Sequence, residues 1–231
     1  MIRIGILLIV MTLLTGTAVG EEVQLEPQQD AFVCDCIPNA TNPMLGIQYL
    51  AQGRYSACHN RSFLQWDLSS IPDSATIESA EFRVYCASFY GSVSGEMCFY
   101  LLTEDWDETT VTYMNMPAYT DSAAIYSSDW PSGGTWLTLD VTDFVEAWYS
   151  ESIDNYGMYC HSRSCTSTCD CAYYSSNVSN PSYRPSLTVY YSIPSSLDRS
   201  TWGEIKVNPE IDCGCAGDCP EMPLPPQCPD P

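Results

Sequence analysis

Apolar and polar residues alternate through much of the middle of the chain, with the two-residue period of half-buried strands. After Arg61, the residues Leu64, Trp66 and Leu68 fall on one face and Phe63, Gln65 and Asp67 on the other. The first set is expected in a core and the second toward solvent. Pro72, Asp73 and Ser74 then break the pattern, because proline presets one backbone angle and Asp and Ser bond their own backbone in turns. Alternation resumes with Ile77, Phe82, Val84 and Cys86 inward against Glu81, Arg83 and Tyr85. Two strands joined in this way make a β-arch from Arg61 to Cys86, and the rest of the chain is expected to organise around it.

Beyond the arch the chain is expected to turn at Tyr90-Gly91-Ser92 and return through Met97 to Leu102, which puts Cys86 and Cys98 on one central hairpin. Val111 and Tyr113 alternate with Thr110 and Thr112 as a strand that Pro117 ends. Leu137, Leu139 and Val141 form another strand and run into a short helix. Asp143 is expected to cap that helix with Glu146 three residues on, while Phe144 and Trp148 share one face and dock on the core. After Asn155-Tyr156-Gly157 a late hairpin carries Met158 and Cys160 out and Ala172 to Ser175 back. Leu187, Val189 and Tyr191 close the domain before Pro194. The chain is therefore all-β with one short helix, and 231 residues accommodate a single large domain.

The two ends differ from this middle. Residues 1–20 combine the basic Arg3, an apolar run from Ile4 to Leu14 and the small residues Ala18 and Gly20, the arrangement of a secretory signal. A retained anchor is the competing reading, although the run falls short of the roughly 20 residues a spanning helix needs. Residues 195–231 lose the alternation and gain Pro and Cys, which reads as an appendage to a 21–194 domain. The formal net charge of -21, with Lys206 the one lysine, argues against nucleic acid, whose phosphates require clustered Lys and Arg. It equally disfavours a strongly anionic polysaccharide unless a cation bridges the two, and it otherwise serves solubility or a saline habitat.

WDLSSIP followed by ATIESAEFRVY (66–72 and 75–85) resembles the signature of the DNRLRE, or disaggregatase-related, family of β-sandwich domains, which overlaps family 96 of carbohydrate-binding modules. Four further blocks agree in order: DAFV, TEDWDETTVTYMNMPAY, WLTLDVTDFVEAW, and NYG followed by YYSSNVSNPSYRPSLTVYY, so that the resemblance runs from Asp30 to about Ser192. It implies a two-layer antiparallel β-sandwich, jelly-roll-like, that binds extracellular polysaccharide without cutting it. Sandwiches of this kind often hold a structural Ca²⁺, and Asp30, Asn39, Asn42 and Asp140 are its expected oxygen donors near one end. Sugar stacking needs exposed rings, and Tyr90, Tyr119, Tyr126, Trp130, Tyr173 and Tyr174 fall in expected loops or strand ends. Trp130, Tyr173 and Tyr174 are taken as the binding residues. Trp106, between Glu104, Asp105, Asp107 and Glu108, is read as closing one end of the sandwich in preference to stacking a sugar.

Thirteen cysteines in an exported chain read as a disulfide framework: Cys34, Cys36 and Cys58; Cys86 and Cys98; Cys160, Cys165, Cys169 and Cys171; and Cys213, Cys215, Cys219 and Cys228 in the tail. The odd number leaves at least one thiol unpaired or joined to another chain. Zinc on Cys160, His161, Cys169, Asp170 and Cys171 is the competing use, without the paired C-x-x-C spacing of ribbon-type sites. Catalysis finds few parts: His59 and His161 are the two histidines, and neither G-x-S-x-G nor H-E-x-x-H occurs. Glu104 and Glu108 are an acid pair of the kind a glycosidase uses, but an acidic chain offers such pairs by chance. Two non-enzymatic roles follow, a secreted polysaccharide binder and a disulfide-crosslinked surface or matrix protein.

Overall fold

In the computed structural model, which describes residues 19–42, 48–93 and 95–194, the arch becomes two strands that do not pair with each other. They are β4 (Cys58–Gln65) and β5 (Thr76–Gly91), numbered in chain order after β1 (Val19–Leu25), β2 (Gln29–Cys34) and β3 (Tyr49–Tyr55). Then follow β6 (Glu96–Leu102), β7 (Tyr119–Ser127), β8 (Thr135–Asp140), the helix α1 (Thr142–Tyr149), β9 (Met158–Arg163), β10 (Cys169–Tyr174) and β11 (Ser186–Ile193). Among the described residues the strands run β1-β11-β5-β10-β3-β4-β9-β6-β7, with β2 added to β4 and β8 to β5, and every pairing is antiparallel.

This path curls until its halves face each other. Leu64, Phe99, Leu101 and Met158 of β4, β6 and β9 meet Phe82, Val84, Leu137, Leu139, Leu187 and Val189 of β5, β8 and β11 in one core. The result is the all-β, jelly-roll-like sandwich expected. The 16-residue β5 holds it together by changing partners along its length: β11 over its first half, β10 over its second, and β8 on the opposite edge. The side of α1 carrying Phe144, Val145 and Trp148 is buried against the core, and the rings of Phe144 and Trp148 lie 6.0 Å apart, edge to face.

Several local expectations change. Phe63 is fully buried, because a second apolar cluster covers the outer face of β4, β6 and β9: Ala31, Val33, Tyr100, Leu102, Trp106, Val111 and Tyr159 pack with it. Trp106 closes this cluster, 5.6 Å from Phe63, with its Nε1 donating to the Tyr156 carbonyl at 2.9 Å. The stretch holding Val111 and Tyr113 is turn and 3-10 helix, since Asp107 draws in the backbone N–H groups of Thr109, Thr110 and Val111. Neither expected hairpin forms. β5 and β6 lie in opposite layers, as do β9 and β10, because β6 and β9 pair with each other while β10 lies between β5 and β3. Asp143 sits inside the first turn of α1, whose N-cap is Val141 without a side-chain cap; just before it, Asp140 Oδ1 accepts from the Thr142 N–H at 3.0 Å.

Gly157 explains the NYG block. It sits at φ +90°, and a Cβ there would collide with the Leu64 carbonyl oxygen. The neighbouring Asn155 donates from Nδ2 to the Trp66 carbonyl at 2.8 Å and accepts from Gln65 Nε2 at 2.6 Å through its own carbonyl. The block therefore pins the end of β4. Residues 1–18 and 195–231, which carry nearly all of the expected signal and the whole of the tail, lie outside the described residues.

Candidate functional site

The outer face of the β5 layer carries a continuous band of rings. Val84 and Cys86 of β5 point into the core, which turns Arg83 and Tyr85 outward. Because β8 pairs Trp136 with Tyr85, the two rings meet at 5.3 Å, edge to face. On the other side of β5, Tyr174 of β10 lies parallel to Tyr85 at 5.9 Å. The chain then forms a short 3-10 turn, Pro181–Tyr183, which Asn180 caps by accepting from the Ser182 N–H at 3.1 Å. That turn lays Tyr183 on Tyr85 at 4.5 Å and beside Tyr174 at 5.6 Å. Tyr49, at the start of β3, stacks on Tyr174 at 5.5 Å. The four inner rings are half-buried and Tyr49 is exposed. Aromatic neighbours across strands hold one another rigid while keeping one side wet.

At the Trp136 end the band opens into a groove of about 410 Å³ lined by Gln24, Glu26, Arg83, Trp136, Ser182 and Arg184 among others. The Arg83 guanidinium lies over the Trp136 ring, 4.6 Å from its centroid, and its Nε is 3.9 Å from Glu81 Oε1. Arg184 Nη1 is paired with Glu26 Oε2 at 3.0 Å. Each cation thus has an acidic partner, and Glu26 is the one acid among the lining residues. Flat apolar rings beside guanidinium, amide and hydroxyl groups suit a ligand with apolar faces and hydroxylated edges.

The sequence profile of carbohydrate-binding module family 96 matches residues 21–191. The chain belongs to that family. A search of curated proteins returns no match.

Within this carbohydrate-binding module the three expected stacking residues separate. Trp130 is 8% exposed and donates from Nε1 to the Gly95 carbonyl at 3.3 Å, while Tyr173 is 3% exposed and donates to Gln52 Oε1 at 3.3 Å. Both belong to the core, because their positions point inward between the layers, and neither offers a ring to solvent. Tyr174, one residue out of phase with Tyr173, lies in the band. Tyr90, Tyr119 and Tyr126 are exposed but lie outside it. Trp136, Tyr85, Tyr183 and Tyr49 were not anticipated. The available signal was the phase of Trp136 and Tyr85, opposite to Leu137, Leu139, Val84 and Cys86.

The four expected calcium ligands do not form one set. Asp140 of β8 has its carboxylate on Thr142, and Asn39 is exposed. Asp30 and Asn42 do meet, with Asn42 Nδ2 donating to the Asp30 carbonyl at 3.2 Å, and Asp30 Oδ2 accepts from the Ser176 N–H at 2.6 Å. The remaining oxygen, Asp30 Oδ1, is buried without a partner, and burial lifts the carboxyl to about 6. Calcium takes about six to eight oxygens, more than this pair supplies.

Disulfides join Cys36 to Cys58, Cys86 to Cys171 and Cys165 to Cys169. Cys34, Cys98 and Cys160, expected in the framework, are instead buried free thiols, and the tail cysteines Cys213, Cys215, Cys219 and Cys228 lie outside the described residues. Zinc on Cys169 and Cys171 is overturned, since both sulfurs are held in disulfides. The acids considered for catalysis serve the scaffold: Glu104 accepts from the Ala118 N–H at 3.0 Å and Glu108 from the Asp30 N–H at 3.1 Å. Among the described residues no helix is long and apolar enough to cross a membrane.

Proposed function

We propose that this carbohydrate-binding module is exported and holds an extracellular polysaccharide along the Tyr49–Tyr174–Tyr85–Trp136 band, without cutting it. The observation that carries the reading is the contact of these rings across four strands, ending in a groove with hydrogen-bonding side chains. A run of rings suits a polymer, because successive sugars stack while the groove orients one end. Each arginine of the groove has its own carboxylate partner, which supports a neutral or cation-bridged polymer. The protein's overall acidity adds to this, since it repels a strongly anionic chain over about 8 Å at physiological salt. The absence of cleavage is supported by Glu26, the single acid of the groove lining, being paired with Arg184; glycoside hydrolysis uses two carboxyl groups across the bond.

The test is a pull-down of the disulfide-intact protein on a panel of insoluble polysaccharides, with and without calcium, and with supernatants assayed for released sugar. Retention that Trp136→Ala removes, with no sugar released, is the expected result. Soluble products that accumulate with time overturn the non-catalytic part. Wild-type retention by Trp136→Ala moves binding off this band.

A further inference from the structure

A second feature lies on the opposite layer and does not depend on polysaccharide binding. β2 ends at Cys34, opposite Asn60 of β4, and the chain then turns through Asp35 and Cys36 against the start of that strand. The Asp35 N–H donates to the His59 carbonyl at 3.3 Å, and the Asp35 carboxylate accepts from the His59 N–H at 2.7 Å. The turn is thereby fixed beside Cys58, which is bonded to Cys36 with a Cα separation of 5.3 Å. Cys34 holds a buried thiol, 8% exposed. The sulfurs of Cys34, Cys36 and Cys58, with a carboxylate oxygen of Asp35, all lie within 4.8 Å of one another. Among the described residues this is the one place where three or more such side chains converge.

A thiol this close to a disulfide is placed to exchange with it. We propose that Cys34, Cys36 and Cys58 form a three-sulfur exchange centre that makes Cys36 a site of covalent attachment for disulfide-bearing partners. In the first step the Cys34 thiolate attacks Cys58 Sγ. A Cys34–Cys58 bond forms, the Cys36–Cys58 bond breaks, and its electron pair leaves on Cys36. One thiolate and one disulfide stand on each side, so the step consumes no oxidant, and the proton lost by Cys34 is balanced by the one Cys36 takes up. The exchange moves the free thiol from a buried position to an exposed one, because Cys36 is exposed in the turn. In the second step the Cys36 thiolate attacks an external disulfide, forming a mixed disulfide and releasing one thiol of that partner.

Oxidised glutathione is the probe. The full chain is incubated with it under non-reducing conditions at pH 8, free thiols are blocked with N-ethylmaleimide, and the modified cysteines are mapped by mass spectrometry. Cleavage before Asp35 separates Cys34 from Cys36. The expected result is glutathione on Cys36, rising to a plateau with time and faster at higher pH, together with a Cys34–Cys58 disulfide in the same molecules. Cys34→Ser loses the Cys36 adduct, and in Cys36→Ser oxidised glutathione converts the Cys34 and Cys58 thiols to their disulfide, itself reduced to two glutathione thiols. An unmodified Cys36 after equilibration overturns the proposal, as does a Cys36→Ser protein in which Cys34 and Cys58 both remain thiols. Should Cys34→Ser fail to fold, the wild-type time course and Cys36→Ser still decide.

Discussion

Asp170 gives a direct test of how this fold handles buried charge. The side chain is 4% exposed, and its one hydrogen bond among those described comes from Asn60 Nδ2 at 2.9 Å. Burial outweighs that bond and lifts the carboxyl from 3.8 to about 6. Well below pH 3.8 the group is protonated in both the folded and unfolded chains and costs nothing. Between about pH 4 and 6 the unfolded chain ionises first, so the folded state loses stability as pH rises; above the folded value the loss is complete. A rise of about two units corresponds to about 3 kcal/mol of stability lost at neutral pH. Asp170→Asn removes the ionisation and keeps an oxygen for Asn60 to bond. Urea unfolding of both proteins is measured at pH 4 and pH 7.5. The variant is expected to exceed the wild type by only about 0.6 kcal/mol at pH 4 and by up to about 3 kcal/mol at pH 7.5, the latter roughly 6–12 °C in melting temperature. Global repulsion among acids acts on both proteins, so the difference isolates Asp170. An equal difference at the two pH values would refute the burial argument.

Further outcomes follow from other parts of the fold. Trp136→Ala or Tyr174→Ala weakens polysaccharide retention in pull-down while the protein stays folded, with a melting temperature lower by a few degrees from lost ring packing, whereas Tyr119→Ala leaves retention intact. Gly157→Ala lowers stability by more than about 2 kcal/mol in chemical denaturation, because the added Cβ meets the Leu64 carbonyl oxygen at a positive φ. Asp140→Ala removes the bonds to Thr142 and costs about 1 kcal/mol in the same assay. A chelator leaves the melting temperature unchanged; a drop that added calcium reverses, and that Asp30→Asn abolishes, would instead show a bound ion that depends on Asp30.

The layers were legible because their inner residues keep a strict two-residue phase: Leu137, Leu139, Leu187 and Val189 are all buried as the alternation requires. Phe63 was misplaced because a single alternating pattern reveals one buried face. The cover over its other face comes from Trp106 and Val111, some forty residues later in the chain. The hairpins failed for a related reason. Adjacent strands in sequence are adjacent in space only when nothing separates them, and here β10 occupies the edge of β5 that β6 was expected to take. The stacking residues were sought in loops, whereas the rings form their band on strand faces. Only the register between β5, β8 and β10 shows that Tyr85, Trp136 and Tyr174 touch.

The partner changes of β5 bear on when the molecule can fold at all. Its neighbours β8, β10 and β11 begin at Thr135, Cys169 and Ser186, and among the described residues β1, at the other end of the domain, pairs with β11 alone. A growing chain therefore carries β1, and the β11 edge of β5, without a partner until residue 193 has been synthesised, and pairings between such distant segments form slowly. If the chain is exported, as proposed, this delay keeps it unfolded for passage through a translocation pore and lets its cysteines meet oxidant only after release. The same delay exposes the apolar edges of β5 to other nascent copies, so the yield of native protein is expected to fall with expression rate sooner than with temperature.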